Sequence, residues 1–508
     1  MIELRSLIGT ARTRPALAWH NTASTGDTLD RESDAIAARL SAIGVGQRHR
    51  VAIFLGNTPQ FVVCMLAAMK LRASSVLFGT SFTDREIAEA VLRTESAAIL
   101  APPAAAALLA RVDPTWDVEP IALPDTVGPL ALWRTPHTRA AARDGELSVQ
   151  FTSGVSGRSK IVPRTTANLE NELENFASRL GLGTGDATVC PCPLFHTYGI
   201  INGFLLPFFS GRLSVLVDGR FMPNDVVEIV RRHEARLLVG VPVMYKALAE
   251  TFGADASDLA SLRVCFTAGA PIPATTVDAF YSRYGLDIHQ QYGTTETGVI
   301  AVNVADHGKA NPCAAGRAVP GRDIAIVAED GARVPHGETG EVVVRSGGTT
   351  DGYLDDEELW AEKCRDGWYF TGDVGAFDES GDLVVTGRRT SFINVAGLKV
   401  DPAEVEQVLA ACDAVVECAV VPLADASGGE VVKAVVVARR ATTVHEIQQF
   451  CRQRLAAHKV PRRVLFVDAL PRTLTGKILV KHLVNASEPA LGTGGTRYGS
   501  GTDSRAVD

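Results

Sequence analysis

Helical and strand-like patterns alternate along the first half of the chain, and the alternation predicts an α/β fold that gives way to an α+β one. Three observations carry the prediction. A helical period at Leu29, Ile36, Leu40 and Ile43 closes on Gly44 and is followed by the buried-strand run "RVAIFLG". From about Ala325 the pattern turns β-rich with tight turns, in "IAIVAEDGARVPHGETGEVVVRS" and then "GWYFTGDVGAFDESGDLVVTGR". After Arg388 comes a compact segment of mixed strands and helices.

In chain order, "TLDRESDAIAARLSAIGV" reads as a helix, "TPQFVVCMLAAMKLRA" as a second, and "SSVLFG" as the strand after it. The same rhythm returns at "DVVEIVRRHEARLLVGVP" and at "LRVCFTAGAPIP". Such alternation lays parallel strands side by side with helices over their faces. A chain of 508 residues is too long for one core. The composition shift at Arg388 predicts a domain over 1–387 and a small α+β domain over 388–485. The Gly/Ser/Thr-rich stretch 486–508 has no hydrophobic period and predicts a disordered tail.

Composition removes several classes of function. The net charge of −8 and the absence of a long basic run argue against a nucleic-acid surface. The opening "MIELRSLIGTARTRPALAWHN" lacks the apolar core of a signal peptide. The run "FVVCMLAAM" falls well short of the ~20 residues that cross a bilayer, so no membrane span and a cytoplasmic location are expected. The 9 cysteines form no C-x-x-C pair, which predicts buried, reduced thiols.

The stretch "VQFTSGVSGRSKIVPRTTANLENELENF", residues 149–176, sets a short strand before a loop, closes the loop on a lysine, and continues as a helix-like run. Glycines let backbone N–H groups converge on an anion, hydroxyls add hydrogen bonds, and a lysine adds a point charge. Thr152, Ser153, Gly154, Ser156, Gly157 and Lys160 therefore suit a nucleoside triphosphate. Their spacing is not G-x-x-x-x-G-K-[ST], so phosphoryl transfer on a P-loop is not implied.

Five further segments join the loop: "PLFHTYG" (193–199), "QQYGTTETG" (290–298), "GWYFTGD" (367–373), "GRRTSFINVAGLKVDPAEVE" (387–406) and "PRTLTGKI" (471–478). In this order they resemble the core motifs of the adenylate-forming superfamily, which comprises acyl-CoA synthetases, aryl-CoA ligases, luciferases and carrier-protein adenylation domains. The resemblance spans about residues 27–484. It implies a large N-terminal domain of two sheet-helix layers plus a β-barrel, and a small mobile α+β C-terminal domain. It also implies a reaction in two steps: a carboxylate attacks the α-phosphorus of ATP to give an acyl adenylate and pyrophosphate, and a thiol then displaces AMP. ATP, Mg²⁺ and CoA, or the phosphopantetheine of an acyl carrier protein, follow as cofactors, with a small-molecule acid as substrate.

By the same resemblance, residues 152–160 would hold the β- and γ-phosphates. Glu296 would coordinate Mg²⁺ as a hard oxygen ligand, and Thr295 would touch the α-phosphate. Gly269, Ala270, Pro271, Gln291, Tyr292, Gly293 and Thr294 would frame the nucleotide, Tyr292 stacking on adenine. Asp373 would accept both ribose hydroxyls and Arg388 would bind ribose or phosphate. Lys477 would neutralise charge on the pentavalent phosphorus. His196, Tyr198, Asn202, Val299 and Ile300 would line the acid pocket, with His196 shaping access, and Gly397 and Lys399 would flank the CoA tunnel. Phe204, Phe208 and Phe209 make the pocket region aromatic, which points to an aromatic or arylpropenoic acid whose ring substituent meets Asn202.

The sequence departs from the pattern at Val155, at Arg158 and Ser159, and at Ile161, where relatives carry a hydroxyl, x-Pro and glycine. Thr390 and Asn394 stand where many relatives place a charged hinge residue and some a catalytic lysine, so the second half-reaction is less firmly specified than the first. Three other functions share the motifs: loading of a carrier protein, adenylation of an oxyacid such as nitrite for attack by an arylamine, and nucleotide binding by a regulatory homologue. The last requires lost catalytic residues, whereas Glu296, Asp373, Arg388 and Lys477 are all present.

Overall fold

The first alternation of strands and helices builds a seven-stranded sheet in the order Asp117–Ile121, Leu130–Arg134, Ser96–Ala101, Arg50–Ile53, Ser74–Leu77, Glu146–Thr152, Lys160–Thr165. The computed structural model describes residues 12–485 apart from 81, 122, 124–127, 153–158, 178–182, 219–220, 252, 254, 304–310, 312–313, 389–392, 396–397, 425–429 and 474–477. The second alternation builds a nine-stranded sheet: Arg317–Ala318, Gly298–Val302, Ile288–Thr294, Val264–Thr267, Leu237–Gly240, Ala187–Cys190, Leu213–Leu216, Pro15–Trp19, Thr22–Thr25.

The central strands of both sheets run parallel, as the alternation requires, but the outer strands pair antiparallel. One of these, Lys160–Thr165, falls where a helix-like run was expected directly after Lys160. It pairs with Glu146–Thr152, and the helix begins only at Thr166. Pro163 is tolerated because this is an edge strand, where a missing N–H breaks no ladder.

Helices cover the sheets because their apolar stripes have nowhere else to go. Gly26–Ala42 starts on Thr25, whose side chain accepts from the Thr28 N–H. Pro59–Lys70 is buried almost all round, so its apolar run is a core helix. It shares one hydrophobic cluster with Val51 and Ile53 of the first sheet and with Leu216 and Val239 of the second. A second cluster, with Val230, Tyr245 and Phe280, and a third, with Phe78, Ile87 and Trp133, hold further helices against the two sheets.

The β-rich stretch is a five-stranded antiparallel sheet of Arg322–Val327, Gly340–Ser346, Trp368–Phe377, Cys364–Arg365 and Leu383–Arg388. Its Ile326, Val342 and Leu383 pack with Ile300 and Ala301 of the nine-stranded sheet. The chain divides into two compact units, with a break between Thr390 and Ser391. The second unit carries a three-stranded sheet, Val415–Ala424, Glu430–Ala438 and Arg463–Phe466, and the hairpin Ile393–Val395 with Leu398–Val400. The helices Pro402–Ala410 and Val444–Arg452 contribute Val405, Leu409 and Ile447 to its core. Among the described residues no helix is long and apolar enough to cross a membrane, and the cysteines are free.

Candidate active site

The motif at 290–298 is a hairpin. Ile288–Thr294 leaves the parallel part of the nine-stranded sheet, turns, and returns antiparallel as Gly298–Val302. The turn is crowded: a Cβ on Gly293 would lie 2.4 Å from the Gly298 carbonyl oxygen, and one on Gly298 2.3 Å from the Glu172 carboxylate. Gly298 also has φ +70°, a left-handed backbone suited to glycine. Thr294 Oγ1 accepts from the Thr297 N–H at 3.2 Å and meets Thr297 Oγ1 at 3.0 Å.

Two side chains that the sequence did not single out brace this hairpin from inside. Arg164 donates to the Thr295 carbonyl at 2.9 Å, to the Gly348 carbonyl at 3.1 Å and to Glu172 Oε2 at 3.0 Å. Glu172 Oε1 accepts the Val299 N–H at 2.9 Å. Both are fully buried, and Arg322 donates to the Val299 carbonyl at 3.0 Å.

At the tip, Glu296 is buried and its Oε1 accepts from the Tyr353 hydroxyl at 2.8 Å. Lys160 donates to the same hydroxyl at 3.0 Å, and its Nζ lies 3.6 Å from Glu296 Oε1. Tyr369 OH stands 3.3 Å from Tyr353 OH. The last residue of the loop lysine's hairpin partner, Thr152, faces Lys160 across the ladder. Sequence reasoning missed Tyr353 and Tyr369; Tyr369 sits inside "GWYFTGD" and Tyr353 outside every quoted stretch, and nothing in the local pattern marks either.

A second cluster lies on the five-stranded sheet, where Asp373 and Arg388 are direct partners on adjacent strands. Asp373 Oδ2 accepts from Tyr292 OH at 2.7 Å and Oδ1 from Arg388 Nε at 2.8 Å. Burial works against the Arg388 charge, but Asp373 and, more weakly, Glu296 outweigh it and raise the pKa. Burial, with Asp373 beside it, pushes the Tyr292 phenol well up, so it stays a proton donor. Gln291 is buried and its Oε1 has no partner among the described residues. Gly269, at φ +86°, begins an exposed turn through Ala270 and Pro271 after the strand Val264–Thr267.

The expected acid-pocket residues separate into two groups. His196 precedes the short helix Thr197–Ile200, and burial lowers its pKa to about 4, so it is neutral. Tyr198 OH donates to the Gly240 carbonyl at 3.2 Å, at the C-terminal end of a parallel strand, where open α/β sheets bind ligands. Asn202 is fully buried; its amide nitrogen donates to the Tyr198 carbonyl at 3.0 Å while Oδ1 has no partner among the described residues. Val299 shares the hydrophobic cluster against which Tyr198 packs, together with Phe204 and Phe208. Ile300 does not: strand alternation turns it to the opposite face, into the core under the five-stranded sheet.

Ser153, Gly154, Ser156, Gly157, Gly397, Lys477, Val155, Arg158, Thr390 and the tail 486–508 lie outside the described residues. Lys399 lies in the strand Leu398–Val400 opposite Asn394; the side chains of both are likewise outside them.

Among the described residues no group of three or more His, Cys, Asp or Glu stands together as a metal cage. A single carboxylate, Glu296, suits Mg²⁺, which takes one or two protein oxygens and completes its shell with phosphate and water. The cluster thus offers one hard anion, one ammonium and a donor hydroxyl side by side, the donor set for a metal-bound polyphosphate.

The chain belongs to the AMP-binding enzyme family. The family's description, AMP-binding enzyme, matches residues 8–354, and that of its C-terminal domain matches residues 404–477. The chain is 34% identical over 469 residues to a 3-[(3aS,4S,7aS)-7a-methyl-1,5-dioxo-octahydro-1H-inden-4-yl]propanoyl:CoA ligase of Mycobacterium tuberculosis, covering 87% of this chain and 90% of that one. It is 32% identical over 482 residues to a feruloyl-CoA synthase of an Amycolatopsis species, covering 91% and 94%. Among solved structures, the amide bond synthetase McbA of Marinactinospora thermotolerans superposes with a TM-score of 0.80 at 28% identity, over 94% of this chain and 98% of that one.

Proposed function

We propose that the protein is an AMP-forming acid–thiol ligase that activates an aromatic or arylpropenoic acid with ATP and transfers the acyl group to CoA. The observation that carries this reading is the pair of clusters, Lys160–Tyr353–Glu296 and Tyr292–Asp373–Arg388, which supply phosphate, metal and ribose chemistry within one family fold. The substrate carboxylate oxygen bonds to the α-phosphorus of ATP as the bond to pyrophosphate breaks. The CoA thiolate then bonds to the acyl carbon, and AMP leaves.

Each residue has a part in this reading. The loop 152–160 and Lys160 hold the outer phosphates, Glu296 holds Mg²⁺, and Thr295 meets the α-phosphate. Mg²⁺ supplies neutralisation of phosphate charge. A carboxylate has about four lone-pair sites, so Asp373, already accepting from Tyr292 and Arg388, keeps capacity for two ribose hydroxyls. Lys477 meets the charge that builds on the α-phosphate, while Gly397 and Lys399 flank the thiol's path. Tyr198, Val299 and the Oδ1 of Asn202, which has no partner among the described residues, define the acid pocket; that oxygen is an acceptor suited to a ring hydroxyl or amine. The likeness to a feruloyl-CoA synthase supports the arylpropenoic class, and a cytoplasmic location accords with it.

Pyrophosphate release and thioester formation over a panel of acids, with and without CoA, test the reading. Aryl and arylpropenoic acids should lead, and thioester should form with CoA. Medium-chain fatty acids outperforming every aryl acid would overturn the acid class, and pyrophosphate release without thioester would overturn the acceptor. The likeness to an amide bond synthetase favours a second reading in which an amine attacks the adenylate, and amide formation from added amine reports it. A phosphopantetheine-bearing carrier protein, added in place of CoA, tests the remaining thiol.

A further inference from the structure

We infer that Tyr353 is a positioning residue for the nucleotide site, the group that sets the Glu296 carboxylate against the metal and links it to the phosphate-side lysine. The inference rests on the reading of Glu296 and Lys160 given above.

The hydroxyl's hydrogen bonds balance. Its one proton goes to Glu296 Oε1 at 2.8 Å. That leaves its oxygen to accept from Lys160 Nζ at 3.0 Å and from Tyr369 OH at 3.3 Å. One atom therefore joins the anion, the cation and a second phenol, on a residue that is 1% exposed. The ring is held as firmly: Trp360 packs on it edge-on at 5.4 Å and stacks on Tyr369 at 5.7 Å, while Lys160 Nζ sits 5.0 Å from the ring centroid.

The backbone around Tyr353 is stitched to both partners. Leu354 N–H donates to the Ile161 carbonyl at 2.9 Å, next to Lys160, and Thr350 N–H donates to the carbonyl of Glu296 itself at 2.7 Å. Thr350 Oγ1 donates to the Pro163 carbonyl, and Arg93 clamps the Ser159 carbonyl at 2.8 Å and Asp355 at 2.7 Å. Arg143 donates to the carbonyls of Gly352 and Tyr353 at 3.3 and 2.8 Å. Segment 350–355 is thus the fixed bridge between the strand that starts at Lys160 and the turn that carries Glu296. When ATP and metal arrive, Lys160 can turn to phosphate while Tyr353 still donates to Oε1, holding one carboxylate oxygen so that the other presents to the metal.

The test is Tyr353→Phe, which keeps the ring and its packing. ATP binding is read without turnover, by calorimetry and by the shift in melting temperature, across Mg²⁺ concentrations and in EDTA. The Mg²⁺ concentration for half-maximal stabilisation should rise about tenfold, as for a lost hydrogen bond to a charged group. Binding in EDTA should stay within about twofold. In a Glu296→Gln background the Tyr353→Phe effect should vanish; because the cycle is read from differences, any shared loss of stability cancels. An unchanged Mg²⁺ dependence in Tyr353→Phe, or an equal loss of binding with and without Mg²⁺, overturns the role of Tyr353 while the wild type and Glu296→Gln still differ. If the wild type itself binds ATP without regard to Mg²⁺, the site reading falls and this inference with it.

Discussion

Replacing Glu172 by alanine tests whether the hairpin of Thr295 and Glu296 depends on a buried ion pair. The carboxylate lies 3.0 Å from the Arg164 guanidinium, and both side chains are essentially without solvent contact. At an effective dielectric of about 20, the gross attraction at that distance is about 5.5 kcal/mol. Removing Glu172 also leaves the Val299 N–H without its acceptor and leaves Arg164 and the buried Arg322 to repel one another. Breaking one side of a buried pair costs ~3–5 kcal/mol, since the remaining charge stays desolvated. At an unfolding entropy of about 2.1 cal/mol/K per residue, the large first unit shifts by about 1 °C per kcal/mol, so its melting transition should fall by roughly 5 °C. Glu172→Gln, which can still accept from Val299, should lose less. Calorimetry on the purified variants gives both numbers, with pyrophosphate release as the functional readout. A loss below about 1 kcal/mol for Glu172→Ala would show that the pair does not brace the hairpin.

Two further variants probe Glu406 and Lys477. Burial raises the Glu406 pKa to about 7, although the Val420 N–H at 2.8 Å opposes the shift. Because the folded state keeps the proton longer than the unfolded one, Glu406 costs stability as pH climbs from about 4.5 to about 7, up to about 3 kcal/mol. Glu406→Gln should therefore unfold later than wild type at pH 8 and with it at pH 4.5; the same difference at both pH values refutes the assignment. Lys477→Ala should slow pyrophosphate release by ~10²–10³, the worth of a preorganised cation at developing charge. The same variant, given synthetic acyl adenylate and CoA, should form thioester at close to the wild-type rate, and equal loss in both half-reactions would refute a role confined to the first.

The helices and parallel strands were legible because burial writes periodicity into the sequence: Leu29, Ile36 and Leu40 repeat at helical spacing, and Gly44 ends the run at φ +89°. The strand Lys160–Thr165 was hidden because Pro163 and Arg164 interrupt its apolar pattern. Arg164 turns out to be among the most deeply buried side chains, a position no single-sequence pattern assigns to arginine. Glu172 sits in a polar-looking helix for the same reason. Tyr353 reaches Glu296 from 57 residues away, so only the folded chain brings the two together. Val299 and Ile300 fall in different clusters because neighbours on a strand face opposite ways, which a contiguous motif does not show.

The ladder contact between Thr152 and Lys160 closes the glycine-rich loop at its two ends. The points where residues 153–159 leave and rejoin the strands are set by the sheet. Substitutions between the two joints therefore leave the register of the flanking strands to the sheet. Exchanging this segment between family members, with Thr152 and Lys160 retained as the joints, becomes a matter of ligand chemistry, separable from the folding of the domain that carries it.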